Sequence, residues 1–510
     1  MADTHTVVQV YIACKKLRDT DVTSKSDPYA VLYEVTGSRT AEVGRTEVIR
    51  NNLNPQFQTH IPVNYFFEIH QSMRVEVWDK DSNTKDDPLG NAIFTMGQLM
   101  SSRGSTITLN LSIKGTVTLT ASYIGPQRGT VALTFRGRDL KKMDLFGKSD
   151  PYFFLYRVLP CGQRVQVYKS EVVANTLNPK WKTTTPLDLA KLCGCDVVSQ
   201  CIQFECYDKD MSSDDPMGSF VVSGEQLLAA GGKEFELSMH KKGKTKSYGF
   251  ISIDRCDYVR GYDFLEYLQG GLQLNIAFSI DFTGSNGPQS DPRSLHFYDP
   301  VRPNHYIRAM LAVSCVVQEY DSDRMFPAYG FGAAAPFTNG TSHFFPLNGN
   351  PANAYLRGMQ AVVDTYAALL PALRFSGPTN FAPSIRTITA GARQARGLYT
   401  ILLILTDGAI TDMQDTIDAI VNADDAPLSI VIIGVGNADF SSMEQLDGDG
   451  GVLRDRRDRA SRRDLVQFVP FRDFDAKEPA VLAAAVLQEI PRQVEVWGRI
   501  NNLTPTSASR

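Results

Sequence analysis

The stretch LQLNIAFSIDFTGSN, Leu272 to Asn286, decides how the C-terminal half of the chain is read. It begins as an apolar run and stops at Asp281. A central parallel strand reads this way, because helices cover both faces of its sheet. Asp281, Thr283 and Ser285 follow at alternate positions, at the carboxyl end of the expected strand, where open α/β sheets build their sites. One carboxylate and two hydroxyls suit a hard divalent cation that keeps some of its waters. Asp, Ser and Gly are also ordinary turn residues, so the triplet alone leaves a plain strand-to-turn junction open.

Two distant segments add to it. A second buried-strand run, Ile401 to Leu405, ends in Thr406-Asp407-Gly408, and between the two runs GPTNF (377–381) puts the hydroxyl of Thr379 on a loop. Asp281, Thr283, Ser285, Thr379 and Asp407 together resemble the metal-ion-dependent adhesion site of von Willebrand A domains, a DxSxS motif followed by a Thr and an Asp. Thr283 stands for the first Ser and keeps the hydroxyl. The resemblance spans roughly residues 260–500 and implies Mg²⁺ or Mn²⁺ at those five residues. Around it, apolar runs at 272–280, 311–317, 401–405 and 429–435 read as strands. Ala354–Leu370, Ile385–Arg396 and Ala480–Ile490 read as helices, so the expected fold is a doubly wound, Rossmann-like α/β sheet.

The first half repeats itself. DVTSKSDPY (21–29) returns as DLFGKSDPY (144–152), 123 residues on; LNP (53–55) returns at 177–179, and VWDKD (77–81) as CYDKD (206–210). DDPLG (86–90) returns as DDPMG (214–218). A period of domain length means that a whole domain is duplicated. In each copy short alternating runs lie between turn signals: Thr6–Ala13, Ala30–Val35 and Met73–Trp78, then Val131–Phe135, Tyr152–Arg157 and Cys201–Tyr207. That pattern predicts two antiparallel β-sandwiches.

The gaps between the runs hold the aspartates, two clusters per copy. Like charges at about 4 Å repel by roughly 1 kcal/mol per pair even in bulk water, so such clusters call for a counter-cation, and several carboxylates suit Ca²⁺. The spacing resembles that of C2 domains, which implies calcium ligands at Asp21, Asp27, Asp79, Asp81 and Asp87 in copy one, and at Asp144, Asp150, Asp208 and Asp210 in copy two. Loop three of copy two is one residue shorter, leaving Asp215 or Asp214 as its fifth ligand; Asp19 and Asp86 could substitute in copy one. The copies differ at the expected loop tips, where Val22-Thr23-Ser24 and Ser82 of copy one face Leu145-Phe146-Gly147 and Met211 of copy two. An exposed Leu-Phe pair fits a lipid boundary.

Composition sets limits. The 510 residues carry 43% hydrophobic and 21% charged side chains and a net charge of −4, which excludes a strongly basic nucleic-acid binder by bulk charge. No apolar run has signal-peptide form or the roughly 18 residues of a membrane span, so any membrane contact is expected to be peripheral. Ala2 follows Met1, so the glycine needed for myristoylation is missing, and the end SASR is no prenylation box. The eight cysteines are expected as reduced thiols, Cys193, Cys195, Cys201 and Cys206 fitting no common zinc spacing. The basic run 241–246 reads as a solvated loop that near anionic lipid would add attraction, and Arg454 to Asp464 reads as an exposed loop.

Two C2 domains followed by a C-terminal A domain is the copine arrangement. DFTGSNG (281–287), YDSDRMFP (320–327), GFGA (330–333), GPTNF (377–381), GVGNADF (434–440) and VQFVPF (466–471) resemble copine sequence. After Ser294-Leu-His296 this chain has Phe297-Tyr-Asp-Pro300 where copines usually continue Tyr-Ile-Asn-Pro, a departure that leaves the expected metal residues untouched. The expected limits are 1–124 and 125–256 for the C2 domains, a linker at 257–270 whose Tyr258, Tyr262, Phe264 and Tyr267 suggest docking, 271–500 for the A domain and a tail at 501–510. The resemblance implies a cytosolic protein that binds anionic phospholipid membranes, the plasma membrane among them, when calcium loads its C2 domains, with the nucleus a further candidate location. Its A domain would recruit client proteins, and no nucleic acid is expected. The rivals are a calcium-blind scaffold and a metal-dependent phosphotransferase or phosphatase working at Asp281 and Asp407. Against the enzyme, the chain has no G-x-x-x-x-G-K-[ST] loop, Gly434-Val-Gly436 is a weak match, and no nucleophile–base pair stands beside the expected metal.

Overall fold

A computed structural model describes residues 6–21, 24–81, 85–123, 128–144, 146–159, 162–194, 197–198, 200–210, 213–241, 243–299, 301–408, 410–448 and 451–508. The tip residues Val22, Thr23, Ser82, Leu145 and Met211, with Cys195 and Lys242, lie outside the described residues. Two compact units divide the chain: Met1–Ile124 with Asp263–Arg510, and Gly125–Tyr262.

In the first copy, β1 (Thr6–Lys15), β2 (Pro28–Thr36), β3 (Arg39–Arg45), β4 (Ile61–Tyr65), β5 (Ser72–Asp79), β6 (Asp87–Thr95), β7 (Thr106–Asn110) and β8 (Thr116–Ser122) form two four-stranded sheets, β4-β1-β8-β7 and β3-β2-β5-β6. All pairings within them are antiparallel. Alternation buries Val8, Val10 and Ile12 of β1 and Met73, Val75 and Val77 of β5. A short helix, α1 (Met96–Ser101), follows β6; Thr95 caps it by accepting the Gln98 N–H, and the Gln98 side chain accepts the Thr95 N–H in return.

The second copy repeats the design with β9 (Arg128–Arg138), β10 (Pro151–Val158), β11 (Arg164–Lys169), β12 (Leu187–Asp188), β13 (Cys201–Asp208), β14 (Asp215–Ser223), β15 (Lys233–Lys241) and β16 (Lys244–Gly261), with helices α2 (Leu189–Cys193) and α3 (Gly224–Leu228). Its two halves, β11-β10-β13-β14 and β15-β16-β9-β12, are joined in the strand ladder at one pair, Ser219 opposite Ser238. Aromatic Phe135, Phe153, Phe204 and Trp181 fill the core. β16 runs on to Gly261 in register with β9, so the stretch expected as a linker is strand as far as Gly261 and then helix α4 (Phe264–Gln269).

The A domain holds β17 (Gln273–Asp281), α5 (His305–Val317), β18 (Met325–Phe331), β19 (Ala333–Ala334), β20 (Phe345–Pro346), β21 (Tyr355–Arg357), α6 (Gly358–Leu369), β22 (Arg374–Phe375), α7 (Ala382–Gln394), β23 (Leu398–Thr406), α8 (Met413–Asn422), β24 (Leu428–Gly434), α9 (Ser441–Leu446), β25 (Val466–Pro470), α10 (Pro479–Leu487), α11 (Ile490–Ile500) and α12 (Pro505–Ala508). The core order is β18-β17-β23-β24-β25, all parallel, with β20 and β21 antiparallel against β18. β17 is buried from Leu274 to its end, as its apolar run predicts. The doubly wound fold stands, with corrections: the helix expected from Ala354 begins at Gly358, after strand β21, the one expected over Ala480–Ile490 is divided between α10 and α11, and 311–317 is helix, not strand. Asn304 caps that helix by accepting the Ile307 N–H at 3.0 Å, and the sheet buries most of its length, so its apolar run matches that of a buried strand.

Candidate functional site

Strand order places the A-domain site. Chain order along the parallel core runs second, first, third, fourth, fifth, so the order reverses between β17 and β23. Such a switch point opens a crevice at the carboxyl ends of the strands. β17 ends in Asp281, and Asp407 directly follows β23.

A chain of hydrogen bonds links four of the five expected residues. The Thr283 N–H and hydroxyl donate to Asp281 Oδ1 at 2.8 and 2.6 Å; the Thr283 and Ser285 hydroxyls lie 2.9 Å apart, and Ser285 donates to Asp407 Oδ1 at 2.9 Å. The other oxygen of Asp281 accepts from the Thr406 hydroxyl at 2.6 Å. Thr379 is held by paired backbone contacts, its N–H donating to Thr411 Oγ1 at 3.2 Å and its carbonyl accepting from the Thr411 N–H at 2.8 Å. Asp412 fixes the same loop by accepting the Phe381 and Ala382 N–H groups, both at 3.0 Å. Threonine at position 283 is accommodated by Gly332 (φ +78°), where a Cβ would lie 2.3 Å from the Thr283 methyl.

Electrostatically the site gathers two buried carboxylates. Asp281 is fully buried and Asp407 nearly so, and among the described residues neither pairs with a Lys or Arg. Burial raises the Asp281 carboxyl, and burial with the neighbouring charge of Asp281 pushes Asp407 up to about 7. Two buried carboxylates sharing hydroxyl donors are stabilised by a proton or by a divalent cation. Hydroxyl and carboxylate oxygens, with Ser285 exposed at the rim, make a donor set that fits a hard cation with an open outer position.

Behind these residues stands a shell that the motif did not reveal. His296 donates from Nε2 to the Asp281 carbonyl and accepts the Tyr366 hydroxyl at Nδ1, both at 2.7 Å. Burial pushes its pKa down to about 3, so the ring is neutral, and it stacks on Tyr306 with centroids 4.1 Å apart. Tyr306 in turn donates to Asn286 Oδ1 at 2.7 Å. The apolar–aromatic mix around His296 carries no period; only its place in a stretch resembling copine sequence could have drawn attention to it.

The C2 loops bring some expected residues together more tightly than others. Asp79 and Asp87 are cross-strand partners, as are Asp208 and Asp215. Asp79 Oδ1 accepts the Asp27 N–H, and Asp208 Oδ1 the Asp150 N–H, each at 2.5 Å. Asp27 Oδ1 accepts the Asn51 N–H at 2.7 Å, and Asp150 Oδ1 the Asn175 N–H at 2.5 Å. Asp21 accepts the Ser24 hydroxyl at 2.8 Å. Asp144 lies near Asp208, Asp210 and Asp150; burial first and their charges second raise its pKa. Asp86 and Asp214 play a different part. Asp86 takes the Tyr29 hydroxyl (2.8 Å), the Lys80 ammonium (3.0 Å) and the Asp81 N–H (3.3 Å). Asp214 repeats this with Tyr152 (2.6 Å), Lys209 (2.9 Å) and the Asp210 N–H (3.2 Å), and those donors hold its carboxyl down at about 2. Register therefore matches Asp215 to Asp87 and leaves Asp214 as a brace.

Other expectations change on contact with the fold. The arginine-rich run is not simply an exposed loop: Arg463 is buried and donates to the Asp424, Ala426 and Leu428 carbonyls, Arg462 pairs with Asp424, and Arg456 with Asp415 and Asp418. Cys206 is buried against the Met217 sulfur. Among the described residues, three carboxylates with oxygens mutually within 4.8 Å occur at Asp447, Asp464 and Glu489, two of which already cap β25 through the Phe468 and Val466 N–H groups. No described helix is long and apolar enough to cross a membrane.

Comparison with known proteins places the architecture. The C2-domain profile matches residues 5–111 and 131–239, and the copine profile matches 294–506. Among solved structures, the calcium-bound C2A and C2B domains of extended synaptotagmin 2 align at 18% identity over 50% of this chain and 97% of that one, with a TM-score of 0.22. The structure titled BON1-C2B aligns at 26% identity over 26% of this chain and 94% of that one, with a TM-score of 0.23. Human GIVD cytosolic phospholipase A2 aligns at 10% identity over 64% of this chain and 45% of that one, with a TM-score of 0.21. With two C2 domains followed by a copine domain, the chain belongs to the copine family.

Proposed function

We propose that the chain is a calcium-switched, non-enzymatic adaptor: its C2 loops bind anionic phospholipid, and its A domain captures client proteins. The observation that carries the reading is Asp208. It is fully buried, and its Oδ2 has no hydrogen-bond partner among the described residues, while three further aspartates crowd the same loops. An unpaired buried carboxylate oxygen is costly, and a cation shared by several carboxylates removes that cost.

In this reading Asp21, Asp27, Asp79, Asp81 and Asp87 hold calcium in one sandwich, and Asp144, Asp150, Asp208, Asp210 and Asp215 in the other. Without calcium the loops repel an anionic bilayer. With it, lipid phosphate oxygens complete the coordination, and two sandwiches on one chain add avidity if both loop sets reach the same surface. Asp281, Thr283, Ser285, Thr379 and Asp407 hold Mg²⁺ or Mn²⁺, and a client carboxylate takes the open position. We take residues 1–124, 125–256 and 271–500 as the three domains. The protein would work in the cytoplasm and move to the plasma membrane or other anionic membranes.

Sedimentation with phosphatidylserine vesicles, in calcium or in chelator, tests the switch. Calcium-dependent pelleting is expected, and equal pelleting in chelator would leave a calcium-blind scaffold. For the A domain, Asp281→Ala with Asp407→Ala should abolish Mg²⁺ or Mn²⁺ binding there and client capture, with vesicle binding retained; unchanged capture would put recognition elsewhere.

A further inference from the structure

The first C2 domain is docked on the A domain within one compact unit, and the joint has a direction. On the C2 side it uses the end of β4 and the connection after it, through Tyr65, Phe67 and His70, and α1 with its N-cap, through Thr95, Gly97 and Ser101. On the A side it uses Phe264 of α4 and Glu319-Tyr320 after α5. Phe67 packs edge-on against Phe264 at 4.7 Å and lies 5.1 Å from Tyr320. The buried hydroxyls of Tyr65 and Tyr320 bond each other. Glu319 closes the contact: its carboxylate accepts the Thr95 hydroxyl at 2.9 Å and its carbonyl the Ser101 hydroxyl at 2.6 Å. Gly97 leaves no slack, since a Cβ there would lie 2.9 Å from Glu319 Cβ.

Every C2 element in the joint belongs to one end of the sandwich. β5 leaves that end at Ser72 and reaches the acidic loops at Asp79; β6 returns from Asp87 to Thr95. On the A domain, Glu319-Tyr320 sits at the amino ends of the parallel strands, where the Leu274 N–H donates to the Tyr320 carbonyl at 3.1 Å. The hydroxyl–carboxylate site is at their carboxyl ends. Each candidate metal site thus stands one strand-length from the joint, roughly 25–30 Å at about 3.3 Å per residue.

We infer that this joint fixes the first C2 domain and the A domain with their candidate metal sites at opposite ends, so that when the calcium loops meet lipid the A-domain site faces solution and takes a carboxylate-bearing protein from that side. The inference rests on the proposed lipid and client readings. It narrows the partner to one that reaches the site from solution and makes a lipid or a membrane-embedded ligand at that site unworkable.

The test uses the full chain, with Asp208→Asn and Asp210→Asn to silence the second C2 domain. A donor dye on a non-natural side chain is placed either at Lys25, in loop one, or at Thr341, whose hydroxyl bonds Ser376 beside the A-domain site. Phosphatidylserine vesicles carry an acceptor lipid. Calcium should produce strong transfer from position 25 and little from 341; comparable transfer from both would overturn the inference. If calcium recruits no protein to vesicles, the lipid reading fails, and the joint is judged in solution by the distance between spin labels at 25 and 341. A single narrow distribution beyond about 40 Å, more than one strand-length, supports the joint. A broad or shorter one overturns it. Gly97→Leu should broaden the distribution, and so should the milder Glu319→Ala; if neither variant moves it, the assignment of the joint to these residues is wrong.

Discussion

The two C2 copies share a loop spacing and differ in what neutralises it. Asp79 and Asp208 occupy the same register position, both are buried, and each accepts the N–H of the loop-one aspartate at 2.5 Å. Their second oxygens part ways. In copy one the Thr20 hydroxyl donates to Asp79 Oδ2; in copy two Met143 stands at the matching place and Asp208 Oδ2 has no partner among the described residues. Loop one differs in the same sense. The Ser24 hydroxyl answers Asp21, whereas Asp144 meets three carboxylates and its pKa is raised by burial and by their charge. Copy one thus carries its own hydroxyl donors, and copy two keeps a buried carboxylate oxygen with no donor among the described residues. Equal aspartate spacing therefore does not mean equal readiness for metal.

The sharpest way to break this comparison is to neutralise the buried carboxylate in each copy. Asp208→Asn should weaken calcium binding by copy two by about tenfold or more, a loss of at least 1.4 kcal/mol. Without calcium it should raise stability, because about 1 kcal/mol of repulsion is removed for each close carboxylate neighbour. Asp79→Asn should cost copy one a similar loss of calcium binding with no gain in apo stability, since the Thr20 bond already steadies that carboxylate. Calorimetric calcium titration and thermal melts of the full chain, each with the other copy disabled, read both effects. Equal apo stabilisation in the two variants would show that the Thr20–Met143 difference is idle.

Exchanging the hydroxyl is a finer test. Thr20→Met should tighten calcium binding by copy one and Met143→Thr should loosen it in copy two. A hydrogen bond to a charged group is worth about 1.5–3 kcal/mol, and only the part surrendered on metal binding counts, so a three- to tenfold shift is expected in each direction. Titration that finds no shift, or shifts of the same sign, would break the comparison at its central residue.

These loops also show which features a sequence makes readable. Carboxylates at matched spacing, repeated 123 residues apart in loop one and 128–129 in loop three, stand out because their mutual repulsion needs an explanation. The β17 site was visible for a similar reason, as oxygen-bearing side chains at the end of an apolar run. Partners supplied by the fold were not. Nothing local announces that Thr20 serves Asp79 across 59 positions, that His296 and Tyr366 support Asp281, or that Asp214 is spent on Tyr152 and Lys209. The helix at 305–317 was misread over its last turns because burial against the sheet erases the amphipathic stripe that tells a helix from a strand. Arg463 was misread because a cation spent on backbone carbonyls looks, in one dimension, like any exposed one.

The smallest expected effect concerns the loop tips. Phe146 is 94% exposed on loop one of copy two, and Thr23 takes the same place in the repeat of copy one. A phenylalanine held out in water loses apolar hydration when it enters lipid. Full burial would contribute roughly 1.5–3 kcal/mol, and shallow insertion at a headgroup boundary less, about 1 kcal/mol. That lesser value is about a fivefold change in vesicle affinity. A calcium bridge to headgroups is weakened by salt, whereas apolar insertion is not. Copy two should therefore hold to phosphatidylserine vesicles at salt concentrations that strip copy one, each assayed in the full chain with the other copy's buried aspartate changed to asparagine. Phe146→Ser should cost copy two about fivefold and bring its salt sensitivity to that of copy one. If the two parents respond to salt alike, or the variant binds as its parent does, the copies differ in how they hold calcium and not in how they meet the bilayer.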